Sequence, residues 1–352
     1  MDLINTKILK IDNENPDKDK IKEAARILKS GGTVAFPTET VYGLGANALN
    51  EDSIDKIFNA KGRPQDNPLI VHIADIDQIN KLVKNISKRA KTIMEKFWPG
   101  PLTVIFDKSD IVPYKVTGGL ETIAIRMPNH KIALSLIKEA NLPIAAPSAN
   151  ISGKPSPTES SHVIQDLSGK IDMVIDGGNT GVGLESTVLD LSGDIPTILR
   201  PGGITIEDLL TVFDKVDYDK ALENNDENLK PKSPGQKYRH YSPNAKMTII
   251  KGNENLVSKE INKLTKKYED QGLKVGIMAT EEMKDKYENG EILVVGSKQK
   301  TETIAKNLFD TLRKFDKLKV DIILAEAIDE KGIGKAIMNR MGKASQNIVK
   351  VE

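Results

Sequence analysis

Arginine is scarce in this chain, with 8 arginines against 43 lysines, so each arginine position is informative. A guanidinium grips carboxylate or phosphate through a planar fork that an ammonium lacks. Arg126 ends the otherwise apolar run Thr122-Ile123-Ala124-Ile125-Arg126, where an unpaired charge would be strongly destabilising. It needs an anion: the carboxylate of a substrate, or an internal Asp or Glu. Lys61-Gly62-Arg63-Pro64-Gln65-Asp66-Asn67-Pro68 sets two cations around a glycine in a proline-stiffened loop. That suits a polyphosphate held by side chains; a solvated helix end would also use Lys61, but the presence of Arg63 favours the functional reading. Pro37-Thr38-Glu39-Thr40 offers two hydroxyls and a carboxylate after a strand, enough to ring a small polar ligand or to make a turn. Ala146-Pro147-Ser148-Ala149-Asn150 ends another strand, and an extended chain there would aim Ser148 and Asn150 to one side. His72 alternates with apolar neighbours and reads either as a satisfied core histidine or as a ligand contact. Glu185-Ser186-Thr187 and Leu199-Arg200-Pro201-Gly202 add further polar groups at strand or loop ends. Arg26, Arg89, Arg313 and Arg340 lie on helical segments and are expected to be surface charges.

Several familiar devices are missing. No G-x-x-x-x-G-K-[ST] loop occurs, and Gly177, Gly178, Gly181 and Gly183 do not fit G-x-G-x-x-G. There is no G-x-S-x-G elbow and no H-E-x-x-H helix. The chain has no cysteine, which excludes disulfides, a thiol nucleophile and Cys-based metal sites. His72, His130, His162 and His240 are too scattered to suggest a local metal motif.

The elements that must position these residues follow from periodicity. Ile21, Ala24, Ala25 and Leu28 predict a helix stopped by Gly31-Gly32, and a second helix is predicted over 53–60. Strands are predicted at 33–36, 69–73, 103–106, 122–127, 143–146, 173–175, 187–191 and 197–199. Their irregular mixture with helices predicts one mixed α/β sheet over residues 1–212. From residue 247 to 352, the apolar runs MTII, KVGIMAT, ILVVG and DIILAEA alternate regularly with helical segments. That predicts a smaller, doubly wound parallel α/β domain. Residues 213–246 break both rhythms, and between Glu227 and Glu254 there are six basic residues and no acid. Composition alone suits a passive linker, but Tyr238, Arg239, His240 and Tyr241 favour a functional lid.

Fifty-one basic against 50 acidic residues leave a formal net charge of +1, which argues against wholesale phosphate neutralisation. The sequence lacks a signal-like apolar core near its start and any run of membrane length, so a cytoplasmic, non-membrane protein is expected.

Together the stretches FPTETVYGLGANA, KGRPQDNPLIVHI, WPGPLTV, TIAIRMP, AAPSANISGKPSPT, ESTVLD, LRPGG, SPGQKYRHYSP and GIGKAIMNRMGKAS resemble the threonylcarbamoyl-adenylate synthase family. They match its long form, a YrdC-like domain joined to a smaller C-terminal domain, and they span nearly the whole chain in order. The resemblance implies that L-threonine, bicarbonate and ATP, with Mg²⁺, give threonylcarbamoyl-AMP and pyrophosphate. The product would pass to separate transfer proteins that modify the adenosine beside the anticodon of tRNA. It implies threonine contacts at Thr38, His72, Arg126 and Ser186. It also implies nucleotide contacts at Lys61, Arg63, Asn67, Thr122, Ala146, Ser148, Asn150, Arg200, Lys237, Arg239 and Tyr241, with Lys61 and Arg63 as the catalytic cations. Such phosphoryl chemistry rests on positioning and electrostatics, so no protein nucleophile is expected. Carbamates and adenylates are unstable in water, which gives Ser233–Ser242 a purpose as a solvent-excluding lid. A monomer is expected, with at most weak direct tRNA binding.

Two other readings fit less well. A non-catalytic double-stranded RNA or tRNA binder is opposed by the charge of residues 1–212, where 24 basic and 27 acidic residues leave −3. A carbamoyltransferase of the hydrogenase-maturation kind would bring zinc-finger-like segments, and this chain has no cysteine to build them.

Overall fold

The first helix forms where the apolar spacing puts it, over Lys18–Lys29. Asp17 caps it by accepting from the main-chain N–H groups of Asp19 and Lys20, and its buried stripe is Ile21, Ala24, Ala25 and Leu28. The computed structural model describes residues 4–222 and 240–352. The chain divides into two compact units: Met1–Ser152 with Ser156–Tyr238, and Gly153–Pro155 with Arg239–Glu352. Of the 213–246 segment, only 213–222 and 240–246 are described.

In the first unit the described strands are β1 (Lys7–Lys10), β2 (Val34–Phe36), β3 (Gly43–Asn47), β4 (Ile70–His72), β5 (Leu102–Asp107), β6 (Thr122–Arg126), β7 (Ile144–Ala145), β8 (Met173–Asp176), β9 (Thr187–Asp190), β10 (Thr197–Arg200) and β11 (Asp217–Tyr218). They form one sheet in the order β1-β8-β2-β3-β7-β4-β6-β5-β9-β10-β11. Pairing is mixed, as predicted: β4 runs parallel to β6 and antiparallel to β7, while β5 runs antiparallel to β6 and parallel to β9. The glycine-rich β3 is a strand that periodicity missed. At Gly45 a Cβ would lie 2.6 Å from Phe36 Cε1 and 2.8 Å from Ile144 Cγ2. Close packing, not turn formation, therefore demands glycine there.

The two faces of this sheet are treated differently. On the back, Val71, Val104, Ile123 and Ile125 join Ile54 and Ile57 of the helix Glu51–Lys61 and Ile93 of the helix Lys88–Phe97 in a large core. On the front, the helices Lys18–Lys29 and Lys131–Ala140 cover Phe36, Ile144 and their neighbours. Leu28, Phe36 and Leu136 are wholly buried there, each contributing about 1.5–3 kcal/mol. Farther along the same face lies a separate small cluster, Ile70, Ile105, Ala124, Val188 and Leu199, built from strand residues alone. The candidate site runs along the seam between these two regions.

The second unit holds β12 (Lys246–Gly252), β13 (Val275–Thr280), β14 (Glu291–Gly296), β15 (Ile322–Glu326) and β16 (Asn347–Val351), ordered β14-β13-β15-β12-β16. Every pairing is parallel. The helix Glu254–Glu269 packs Val257 and Ile261 on Ile250, Ile277 and Leu324. Residues one step along each strand face the other way, and on that side the helices Thr301–Leu318 and Gly334–Ala344 touch each other. This is the doubly wound α/β arrangement. Two arginines depart from their expected surface role: Arg313 is 3% and Arg340 1% exposed. Arg340 stands three residues after Ile337 and four before Ala344, inside the buried stripe of its helix. Its guanidinium lies 5.3 Å from the ring centre of Tyr241.

Candidate active site

Register brings the site residues together. His72 on β4 pairs with Arg126 on β6, and Arg126 pairs in turn with Thr103 on β5. Residues paired across a sheet share a face, so these three side chains form a row. Thr103 Oγ1 lies 2.7 Å from Ser186 Oγ, and Arg200 Nη2 donates to that same Ser186 Oγ at 3.1 Å. Arg200 also holds the Ser186 carbonyl through Nε and Nη2 at 3.1 and 2.9 Å. The row His72, Arg126, Thr103, Ser186, Arg200 thus crosses four strands and the loop entering β9.

Arg126 is 4% exposed. Its Nε donates to the Gly100 carbonyl at 3.2 Å and its Nη1 to Thr40 Oγ1 at 2.8 Å. Its Nη2 lies 2.6 Å from Glu39 Oε2, so an internal carboxylate is present beside it. The hydroxyl chain is directional. Thr38 Oγ1 donates to the Val41 carbonyl at 2.7 Å, so across the 2.8 Å contact Thr40 must donate to Thr38. Thr40 then accepts from Arg126. Main-chain N–H groups of Gly181, Val182 and Gly183 bind the carbonyls of Glu39 and Thr40. Two of the glycines that do not fit a nucleotide loop, Gly181 and Gly183, instead brace this one.

Burial pushes the His72 imidazole down to about 3, helped by the nearby positive charge of Arg126. It is neutral at physiological pH, stands edge-on to Phe36 with ring centres 6.4 Å apart, and its buried Nδ1 makes no hydrogen bond. The burial fits the reading of His72 as a core histidine, and its pairing with Arg126 sets it on the same face of the sheet. His130, just before the helix Lys131–Ala140, is likewise held down at about 4 by burial, against the opposing charges of Glu39 and Glu14.

Two further cations sit nearby in sequence, Lys61 at the end of the helix Glu51–Lys61 and Arg63 in the loop that follows it. Lys61 is 2% exposed, and its Nζ donates to the Ser148 and Asn150 carbonyls at 2.5 and 2.6 Å. This joins Lys61, Ser148 and Asn150 in one cluster. The Asn150 N–H bonds back to the Ser148 carbonyl at 3.0 Å, so the chain turns there and the condition of an extended chain through this pair is not met. Ala146 donates its N–H to the Ile70 carbonyl at 2.9 Å, fastening this loop beside β4. Arg63 donates from Nε to the Asn67 carbonyl at 3.3 Å and from Nη2 to the Pro68 carbonyl at 2.9 Å. Asn67 itself is buried. Thr122 begins β6 on the face that Ala124 and Arg126 share, roughly 13 Å from Arg126 by strand rise. Ala124 between them is small, and with Ile70 and Ile105 it makes an apolar floor.

Lys237 and Arg239 lie outside the described residues. Tyr241 belongs to the second unit. It is 5% exposed, takes φ +64° and stacks on Phe309 with ring centres 5.2 Å apart. Sequence reasoning missed Thr40 and Thr103, the pairing of Glu39 with Arg126, and Ser156, which donates to Glu185. The hydroxyl count in Pro37–Thr40 hinted at Thr40; Thr103 could be found only once its strand partner was known.

A family model described as "Telomere recombination" matches residues 26–202, and one described as "Threonylcarbamoyl-AMP synthase, C-terminal domain" matches residues 204–346. The chain is 51% identical over 335 residues to a threonylcarbamoyl-AMP synthase of Bacillus subtilis, covering 95% of each. It is 48% identical to one of Pyrococcus abyssi, over 96% of this chain and 98% of the relative. The crystal structure of P. abyssi Sua5 complexed with L-threonine resembles it with a TM-score of 0.93 at 47% identity, covering 99% of this chain and 100% of that one.

Proposed function

The chain belongs to the threonylcarbamoyl-AMP synthase family, and we propose that it joins L-threonine, bicarbonate and ATP into threonylcarbamoyl-AMP with release of pyrophosphate. The observation that carries this reading is the row His72, Arg126, Thr103 and Ser186 beside the apolar floor of Ala124, Ile70 and Ile105. A buried guanidinium among hydroxyls is suited to an amino acid carboxylate, with Thr38, His72 and Ser186 for the remaining polar atoms. The floor is suited to the flat adenosine, with Thr122, Asn67, Ala146, Ser148 and Asn150 at its margins. Lys61, Arg63 and Arg200 supply positive charge where the phosphates would lie. Mg²⁺ enters with ATP on its phosphate oxygens, as part of the substrate.

Threonine and bicarbonate first form a carbamate. A carbamate oxygen then attacks the α-phosphorus, and pyrophosphate leaves in line. The cations stabilise the charge that builds on the phosphoryl oxygens and on the leaving group. The family's role leads us to place the product upstream of separate proteins that transfer the threonylcarbamoyl group to tRNA.

The test is incubation with ATP, Mg²⁺, bicarbonate and each amino acid in turn, with detection of pyrophosphate and of the adenylate. Threonine alone should stimulate. Arg126→Ala should weaken threonine use about 10- to 100-fold, the worth of a charge-assisted contact, and disturb nucleotide binding far less. Equal loss of both would reassign Arg126, and stimulation by another amino acid would overturn the substrate.

A further inference from the structure

Glu39 has contacts that the fold does not explain. Its main chain is secured, because its carbonyl accepts from the N–H groups of Gly181 and Val182 at 3.1 and 2.7 Å. Its side chain is only 14% exposed. Both carboxylate oxygens are buried, yet neither accepts a hydrogen bond. What faces Oε2 is Arg126 Nη2 at 2.6 Å, a contact of charge without hydrogen-bond alignment. A carboxylate taken out of water without hydrogen bonds is an unfavourable way to neutralise an arginine. Such an arrangement becomes favourable when a donor arrives.

The pair is also the complement of a zwitterion. An amino acid whose carboxylate meets Arg126 carries its ammonium one carbon away, beside the neighbouring anion. His130 stands within electrostatic range of Glu39, and burial holds its imidazole down at about 4. We propose that Glu39 receives the α-ammonium of threonine and is the base that frees the amine for carbamate formation. This rests on the functional reading above and deepens it.

The step balances. An ammonium has no lone pair, so one N–H proton must first pass to a Glu39 oxygen while the electron pair stays on nitrogen. That pair then forms the N–C bond to the bicarbonate carbon. The C–OH bond breaks, and hydroxide leaves as water by taking the proton back from Glu39. A second N–H proton passes to the regenerated carboxylate and on to solvent, which leaves the carbamate. One proton is released for each threonine consumed.

The reverse direction separates this role from a structural one. Pyrophosphorolysis of threonylcarbamoyl-AMP makes ATP without any ammonium to deprotonate. In the full-length protein, Glu39→Gln should slow synthesis from threonine and bicarbonate by about 100-fold or more, the usual worth of a positioned base. ATP formation from threonylcarbamoyl-AMP and pyrophosphate should fall less than about threefold, since phosphoryl transfer rests on other groups. Wild-type protein should prefer threonine to 2,3-dihydroxybutyrate, which replaces the amine by a hydroxyl, and Glu39→Gln should lose that preference in calorimetry. Glu39→Asp keeps the charge with a shorter reach and should show intermediate synthesis; it takes the place of the Gln variant if that one does not fold. Equal loss in both directions, unchanged synthesis, or a retained preference for the amine would each overturn the proposal. A wild-type protein that binds threonine but makes no adenylate would instead defeat the functional reading, and the analogue comparison would still judge Glu39.

Discussion

Two neutral histidines give the site a pH signature. Burial holds His72 at about 3 and His130 at about 4, against an ordinary value of 6.5. Both are lowered, so below pH 6.5 the unfolded chain takes up protons that the folded chain refuses. Stability is therefore lost as pH falls from 6.5 toward 4, by about 1.4 kcal/mol per pH unit for each histidine. Urea titrations of wild type and His130→Asn between pH 6 and 4.5 should show the variant with the shallower dependence, and identical slopes would show that His130 is not buried neutral. Residue types alone made Arg126 legible, because a guanidinium ending an apolar strand demands an anion. They left open which anion, and Glu39 became visible only when the Thr38–Val41 loop was folded against β6. Arg313 and Arg340 misled for the same reason: a charge on a helix looks solvated until the buried stripe of that helix is known.

At the scale of elements, the site depends on strands meeting loops at van der Waals distance. A Cβ on Gly202 would lie 2.3 Å from the Thr187 nitrogen and 2.4 Å from the Glu185 carbonyl oxygen. Gly202→Ala must therefore move the segment that presents Ser186 to Arg200. Such overpacking should destabilise by about 1–3 kcal/mol, with a matching fall in adenylate synthesis. Gly342 in the helix Gly334–Ala344 has nothing within 4 Å of a built Cβ. Gly342→Ala should be neutral or stabilise by about 0.5–1 kcal/mol. Denaturant midpoints for the two variants check both statements, and similar shifts would sink the packing argument. Most strands were legible as apolar runs between turn residues. β3 was not, because the glycines that let it pack against Phe36 also remove the strand signature. The turn at Ser148–Asn150 was hidden too, since Lys61 reaches it from 87 residues away.

At the scale of the molecule, near-neutrality conceals asymmetry. Residues 1–212 carry a net −3, and the remainder supplies +4. The stretch between Glu227 and Glu254 is the longest run without an acid, and it carries six cations. Replacing Lys232–Pro243 by a neutral linker of equal length should lower ATP-dependent pyrophosphate release and let more of the adenylate escape to hydrolysis. Unchanged release, with no extra loss of the intermediate, would remove that segment from the mechanism. No helix among the described residues is long and apolar enough to cross a membrane.

By itself the sequence determined the two α/β regions and the family, and it nominated the polar residues proposed for the site. Periodicity and residue chemistry are local properties and survive without coordinates. Tertiary structure alone decided which of those residues meet. The row from His72 to Arg200 depends on the register of β4, β6, β5, β9 and β10, and register is set by pairing between strands far apart in the chain. The fold also laid Arg126 beside Glu39, the pair on which the proposed ammonium site rests.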